Sequence, residues 1–171
     1  VDENTGQITP TSIIECIRKN KIKNISALIN MYHGGYPENI NDIYQLKKKY
    51  NFLIIEDACH AIQAEYKYKR CGSLGDLGCF SFHPLKNLNV WGDGGIITTS
   101  NEDLANKLKL IRNHGLINRN TCVEFAYNSR LDTIQAVIAR YLIKNKLKNI
   151  TDTRIKNAHL LDQMLKDLPQ I

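Results

Sequence analysis

The sequence predicts an α/β domain in which a mostly parallel sheet is flanked by helices. Short apolar segments of strand length alternate with longer segments whose apolar residues repeat at helical spacing. This alternation is typical of a sheet with helices on both faces. The 171 residues are 43% hydrophobic and 23% charged, which is enough for one domain with its own core and disfavours disorder.

The first half of the chain provides two helices and two strands. A helix is predicted to begin at Thr9-Pro10, where a capping residue and an early proline precede an apolar repeat. A buried strand is predicted at residues 25–31. A helix at 39–50 carries its basic residues late, where the helix dipole favours them, and a second apolar strand follows at 52–55.

The second half continues the same alternation. Strands are predicted at 78–82 and 95–99, and a helix at 102–113. Two further amphipathic helices are predicted at 130–147 and 152–168.

Composition excludes several classes of protein. The net charge is +6, but the lysines are scattered, which indicates solvated helix faces rather than a nucleic-acid partner. No apolar run approaches the length of about 18 residues that a membrane span needs. An odd number of cysteines, five, and no visible leader predict reduced thiols in the cytoplasm. A zinc site from Cys59, His60, Cys71 and Cys79 is conceivable, but small buried thiols are the simpler interpretation.

The strand at 52–55 runs into two carboxylates, Glu56 and Asp57. In open α/β sheets, ligands bind beyond the carboxyl ends of the strands, where a carboxylate can meet a cationic group of a cofactor. Asp is equally a good helix N-cap. The local pattern leaves both interpretations open.

Lys86 follows the predicted strand at 78–82, close to Ser81 and to several glycines. Such a lysine can form a Schiff base with a carbonyl if its site lowers its pKa. The glycines allow close approach of the backbone. The alternative is an ordinary surface lysine in a loop.

Two later segments carry weaker signals. Residues 91–95, Trp-Gly-Asp-Gly-Gly, lack the spacing of a phosphate-binding loop and predict a tight turn into the next strand. Asn128 or Ser129 is placed to cap the helix expected near Arg130.

Taken in order, these motifs resemble one family. The chain carries Glu-Asp-Ala-x-His, then Gly-Ser-x-Gly-Asp-x-Gly-Cys-Phe-Ser-Phe-His-x-x-Lys-Asn-Leu, Gly-Asp-Gly-Gly, Arg-Asn-His-Gly and Asn-Ser-Arg-Leu-Asp. The set resembles the DegT/DnrJ/StrS family of pyridoxal-phosphate-dependent nucleotide-sugar aminotransferases. The resemblance runs through essentially all 171 residues and implies the large domain of the type I, aspartate aminotransferase-like fold.

The resemblance also implies roles for five residues. Lys86 matches the lysine that binds pyridoxal phosphate covalently, and Asp57 matches the carboxylate that pairs with its ring nitrogen. His60 matches a residue that lies against the cofactor ring, and Ser81 matches a hydroxyl that binds the phosphate. Asn128 matches an asparagine that reaches the phosphate of the neighbouring subunit's cofactor.

The reaction implied by the resemblance moves an amino group from an amino acid, usually glutamate in the family, to a nucleotide-linked keto-sugar for polysaccharide or other amino-sugar biosynthesis. Related dehydratases carry His where Lys86 stands, so we favour amino transfer. A dehydratase or regulatory relative and a non-catalytic α/β nucleotide-binding domain remain as alternatives. The family also implies a homodimer with active sites at the subunit interface.

The resemblance further implies a division of the chain. Residues 1–150 are expected to form the central and C-terminal part of the large cofactor-binding domain, and 151–171 to begin the helix that leads to a small C-terminal domain. We expect the chain to be a fragment. The side chains of Asp57 and Lys86 should converge from neighbouring strand ends, and His33, Tyr36 and Trp91 either line the site or pack.

Overall fold

The structure is a computed structural model that describes residues 1–37 and 40–168. Its helices are α1 (Pro10–Lys19), α2 (Ile40–Tyr50), α3 (Glu102–Ile111), α4 (Thr133–Asn145) and α5 (Leu147–Leu165). A short 3-10 turn lies at His33–Gly35. The strands are β1 (Ala27–Met31), β2 (Leu53–Asp57), β3 (Glu65–Tyr66), β4 (Lys69–Arg70), β5 (Leu77–Ser81), β6 (Gly95–Thr98), β7 (Leu116–Asn118) and β8 (Thr121–Cys122).

Four strands form the central sheet in the order β1-β2-β5-β6. β1, β2 and β5 are parallel to one another, and β6 is antiparallel to β5. The sheet is therefore mostly parallel, as the sequence predicts. One row across it runs through Met31, Asp57, Cys79 and Ile97.

The two faces of the sheet differ in how they are covered. Side chains alternate along β2, so Ile54 and Glu56 share one face, which α1 and α2 cover with buried apolar residues including Ile13 and Ile43. The opposite face carries Ile29 and Leu53, which are 61% and 43% exposed.

A salt bridge at the amino end of β5 fixes the connection into that strand. Lys47 on α2 binds both carboxylate oxygens of Asp76 at 2.6 and 2.7 Å. Asp76 also accepts the Ile54 N–H at 2.7 Å and donates its own N–H to the Ile54 carbonyl at 2.8 Å. These contacts join α2, β2 and β5 in one unit.

A second core holds the segment that follows β5. Phe82, Leu88 and Val90 from this segment pack with Ala139 of α4 and Leu147 of α5, and all five are buried. The connection between β5 and β6 is therefore anchored at both ends.

Helix boundaries agree with the sequence at some ends and differ at others. α1 has the expected Thr9 cap, with a reciprocal hydrogen bond to Ser12. The predicted start of the second helix at Asn39 lies outside the described residues. The prediction that Asn128 or Ser129 caps α4 is wrong, because this helix begins at Thr133 with Asp132 at its N-cap position.

Two features were not predicted: β3 pairs with β4 and β7 pairs with β8 in two short hairpins. The predicted break between the last two helices, expected after residue 147, falls instead at Lys146, whose φ and ψ of −128° and −36° leave the helical region. The boundary expected after residue 150 thus lies inside α5. Within the described ranges, no helix is long and apolar enough to cross a membrane.

Candidate active site

Asp57 is the last residue of β2, at the carboxyl end of the parallel strands. It points to the face opposite Glu56 because side chains alternate along a strand. Its Oδ1 accepts the N–H of Cys59 at 3.2 Å, which forms a turn of the Asx type. No helix begins here, so the N-cap interpretation is wrong and the carboxylate instead shapes the exit from the strand.

Glu56 is fully buried and already has four hydrogen-bond donors. Its Oε2 accepts the Tyr32 hydroxyl at 2.9 Å and the Gly72 N–H at 2.7 Å. Its Oε1 accepts the N–H groups of Leu74, at 2.6 Å, and Gly75. Such a carboxylate is structural, because each oxygen is committed to the protein itself.

The glycines before β5 allow the backbone to wrap around Glu56. Gly72 has a φ of +84°, and a Cβ there would lie 2.3 Å from the Phe80 ring. A Cβ at Gly75 would lie 2.7 Å from the Ile54 carbonyl oxygen. The close approach expected from these glycines is therefore made to the buried carboxylate and to its neighbours.

Ser81 and Asp57 lie on the same face of the sheet at the ends of neighbouring strands. Asp57 is opposite Cys79, and Ser81 is the next residue of β5 on that face. A rise of about 3.3 Å per residue and a strand spacing of about 4.8 Å separate the two Cα atoms by about 8 Å. The Ser81 hydroxyl oxygen accepts the His83 N–H at 3.2 Å.

Lys86 lies in the connection that follows β5. Its N–H donates to the His83 carbonyl at 2.8 Å, and buried Phe82 and Leu88 flank this turn. The lysine itself is half-buried. The turn is therefore fixed at the same end of the sheet as Asp57 and Ser81.

The Cys59 thiol is influenced by both charged residues. Burial and the adjacent Asp57 carboxylate raise the pKa of Cys59 to about 11, while the positive charge of Lys86 opposes this shift. The Sγ atom lies 3.9 Å from the Cys79 carbonyl oxygen on β5. The charges of Asp57 and Lys86 therefore both influence the Cys59 thiol, which lies between the ends of β2 and β5.

The other two predicted residues, His60 and Asn128, are both exposed. The exposed His60 follows Asp57 closely, and its ring centroid lies 6.2 Å from that of His33. The exposed Asn128 pairs with Asn113 and accepts the Arg130 N–H at 3.2 Å. Within the described residues, no hydrogen bond connects Asn128 to the strand ends.

The described residues contain no group of three or more His, Cys, Asp or Glu side chains that could hold a metal ion. The conceivable zinc set is divided between environments. Cys71 is buried near Glu56, and burial together with that negative charge raises its pKa to about 12. Cys79 instead lies opposite Asp57 on the other face.

The strand-end residues fit pyridoxal phosphate by their chemistry. Among its described neighbours, Asp57 accepts one hydrogen bond against four for Glu56, which leaves Oδ2 for a protonated ring nitrogen. Lys86 offers an amine for the aldehyde, and Ser81 a hydroxyl for the phosphate. The sequence did not reveal the structural role of Glu56, for which the adjacent glycines were the available signal.

Comparison with known proteins gives a consistent picture. The sequence model of the DegT/DnrJ/EryC1/StrS aminotransferase family matches residues 1–171. The chain is 32% identical over 171 residues to a UDP-4-amino-4,6-dideoxy-N-acetyl-beta-L-altrosamine transaminase of Campylobacter jejuni serotype O:2, covering 98% of this chain and 45% of that protein. It is 43% identical over 114 residues to a UDP-N-acetyl-3-dehydro-alpha-D-glucosamine 3-aminotransferase of Acidithiobacillus ferrooxidans, covering 67% and 31% respectively.

A solved structure agrees in fold. The DegT DnrJ EryC1 StrS aminotransferase from Brucella abortus superposes with a TM-score of 0.90 at 29% identity, over 98% of this chain and 46% of that one. The chain thus spans less than half the length of these three proteins. Since the match extends from the first residue to the last, the chain belongs to the DegT/DnrJ/EryC1/StrS aminotransferase family.

Proposed function

We propose that the protein containing this chain is a pyridoxal-phosphate-dependent aminotransferase that moves an amino group from an amino acid, glutamate, to a nucleotide-linked keto-sugar. The observation that carries the proposal is the grouping of Asp57, Ser81 and Lys86 at one end of the sheet, in a member of this family. The transaminase names of the relatives support the same reaction and its use in amino-sugar biosynthesis.

Each of the three residues has a distinct task. When bound, pyridoxal phosphate supplies an electron sink for the carbon that carries the amine. Asp57 accepts the N–H of the ring nitrogen and, by its charge, keeps that nitrogen protonated. Ser81 donates its hydroxyl to the phosphate. Lys86 would hold the aldehyde through its Nζ, and the same Nζ would serve as the base for the proton on the substrate carbon.

The surroundings of Lys86 favour this lysine as the nucleophile. The Cys59 thiol is near, and a thiolate there would compete for an aldehyde. Its pKa of about 11, raised by burial and by Asp57, keeps the thiol protonated near neutral pH. The same part of the site thus contains the Lys86 amine and a thiol that stays protonated.

Lys86 also helps to choose between amino transfer and the alternative functions. Related dehydratases, as noted above, carry His at this position, and a His cannot form the Schiff base that holds the cofactor. We therefore favour amino transfer over dehydration, and over a regulatory or purely nucleotide-binding role.

The proposal includes a homodimer in which Asn128 serves the neighbouring subunit's cofactor, with His60 against the ring of the chain's own cofactor. An exposed apolar face on α4 supports a second copy, because Ile134, Val137 and Tyr141 are 76%, 62% and 55% exposed at helical spacing. Five free cysteines support a cytoplasmic location. Residues 1–150 then belong to the large domain and 151–171 to the helix leading to a small one.

The direct test uses the full-length protein loaded with pyridoxal phosphate. Lys86→Ala should remove the absorbance band of the lysine-bound cofactor and the change in that band on adding glutamate. Lys23→Ala, at an exposed position, is the matched control and should leave both unchanged. Full aminotransferase activity in Lys86→Ala would rule out the proposed role.

A further inference from the structure

Trp91 has a backbone conformation that is rare for an aromatic residue. It lies in the connection between β5 and β6 with a φ of 61°, in the left-handed region that bulky residues avoid. Its side chain is 82% exposed, so within the described chain this ring does not pack. A costly conformation that persists in a folded protein is a reason to look for a function.

The residues on either side of Trp91 are held in place. Val90 is fully buried and donates its N–H to the Phe82 carbonyl at 3.3 Å. The Asp93 carbonyl accepts a hydrogen bond from the Gln135 side chain on α4 at 2.8 Å. Because both sides are anchored, the backbone turns outward at Trp91 and presents the indole away from the protein.

This turn stands at the end of the sheet that carries the candidate cofactor residues. Gly95, where β6 begins, is the cross-strand partner of Ser81. The Gly94 carbonyl accepts the Phe82 N–H at 2.8 Å, directly after Ser81. Lys86 belongs to the same connection, so Trp91 lies at the rim of the proposed active site.

An exposed indole at this rim offers a flat, apolar face for another ring. Aromatic side chains stack on nucleobases, and they also cover the apolar faces of sugar rings. We propose that Trp91 is a specificity-determining residue that stacks on a ring of the nucleotide-linked sugar. This inference rests on the function proposed above and adds the residue that recognises the substrate.

Trp91→Gly in the full-length holoenzyme separates substrate stacking from a structural role. Glycine relieves the left-handed backbone and removes the ring, so thermal stability should be unchanged or higher, while KM for the keto-sugar nucleotide rises about tenfold. The reaction of the bound cofactor with glutamate should be unchanged, and Trp91→Phe should restore most of the affinity. Tyr68→Gly is the matched control, because Tyr68 is also an exposed aromatic residue with a positive φ, 99% exposed at 65°, but lies on the β3–β4 hairpin. This variant should leave KM unchanged.

Fluorescence gives a readout independent of turnover, since Trp91 is the single tryptophan of the 171 residues. The emission difference between wild type and Trp91→Phe is followed during titration with UDP, dTDP or GDP, and then with the keto-sugar nucleotide that supports turnover. Quenching by a nucleoside diphosphate alone assigns the stacked ring to the base, and quenching only by the sugar nucleotide assigns it to the sugar.

Two results would overturn the inference: an unchanged KM in Trp91→Gly, or a clear loss of thermal stability, which would mean that the ring packs in the full-length protein. If the wild-type holoenzyme does not react with glutamate, the proposed function fails instead.

Discussion

Glu56→Gln should destabilise the protein strongly, although the change removes only a charge and one acceptor. The carboxylate accepts four hydrogen bonds, two on each oxygen, from Tyr32, Gly72, Leu74 and Gly75. The side-chain oxygen of Gln keeps two of these bonds, but its NH2 group accepts none, so two donors lose their partner and face N–H groups. At about 1.5–3 kcal/mol for each bond to a charged group, the two lost bonds amount to about 3–6 kcal/mol.

Part of that loss is recovered, because a neutral amide costs less to bury than a carboxylate. We therefore expect a net loss of about 3–5 kcal/mol in the free energy of unfolding. The measurement is urea denaturation of the full-length protein, with a lower midpoint and an unchanged slope. Glu15→Gln, on the exposed side of α1, is the control and should change stability by less than about 0.5 kcal/mol. A loss below about 1 kcal/mol in Glu56→Gln would contradict the assignment of this residue as a buried structural carboxylate.

Three further predictions concern stability. Partial burial would raise the pKa of Asp76, but its lysine ion pair and backbone hydrogen bond hold that pKa below its ordinary value of 3.8. The stability that Asp76 contributes is therefore present above pH 3.8 and is lost as the pH falls through the lower pKa of the folded state. On acid titration, Asp76→Asn should lose less stability than wild type. Gly72→Ala should cost about 2–4 kcal/mol because it adds a steric clash to a strained φ, whereas Gly6→Ala, with φ +67° and open space, should cost less; equal losses would exclude the clash. Lys67→Asn with Tyr68→Gly should raise the melting temperature by relieving two positive φ angles of 48° and 65°, and a lower melting temperature would show that the wild-type residues make stabilising contacts.

The sequence was sufficient to predict most of the central sheet. Residues 52–55 are a continuous apolar run, and the structure places the strands predicted at 52–55 and 78–82 within one or two residues of those positions. The local pattern left Asp57 open between a ligand-binding carboxylate and a helix cap, and the role of Ser81 came from the family resemblance. The role of Lys86 came from the family resemblance rather than from local pattern.

Short and turn-dependent features could not be read from the sequence. The β3–β4 hairpin has two residues in each strand and turns at Lys67 and Tyr68, without the Asn or Gly that such turns favour. The sequence predicts two helices at 130–147 and 152–168, but it does not show that the break between them falls at Lys146. In both cases the local signal is weak, and contacts elsewhere decide the conformation.

The sequence by itself determined the alternation of helices and strands, because apolar periodicity is a local property that each segment carries wherever it lies. Apolar periodicity alone does not distinguish Glu56 from its neighbour Asp57, and only the tertiary structure shows that Glu56 is fully used by the protein. The donors that occupy Glu56 come from Tyr32 and from residues 72–75, which are distant along the chain and meet it only after β1, β2 and β5 pair. Whether a carboxylate is used by the protein or remains free for a ligand depends on such long-range contacts.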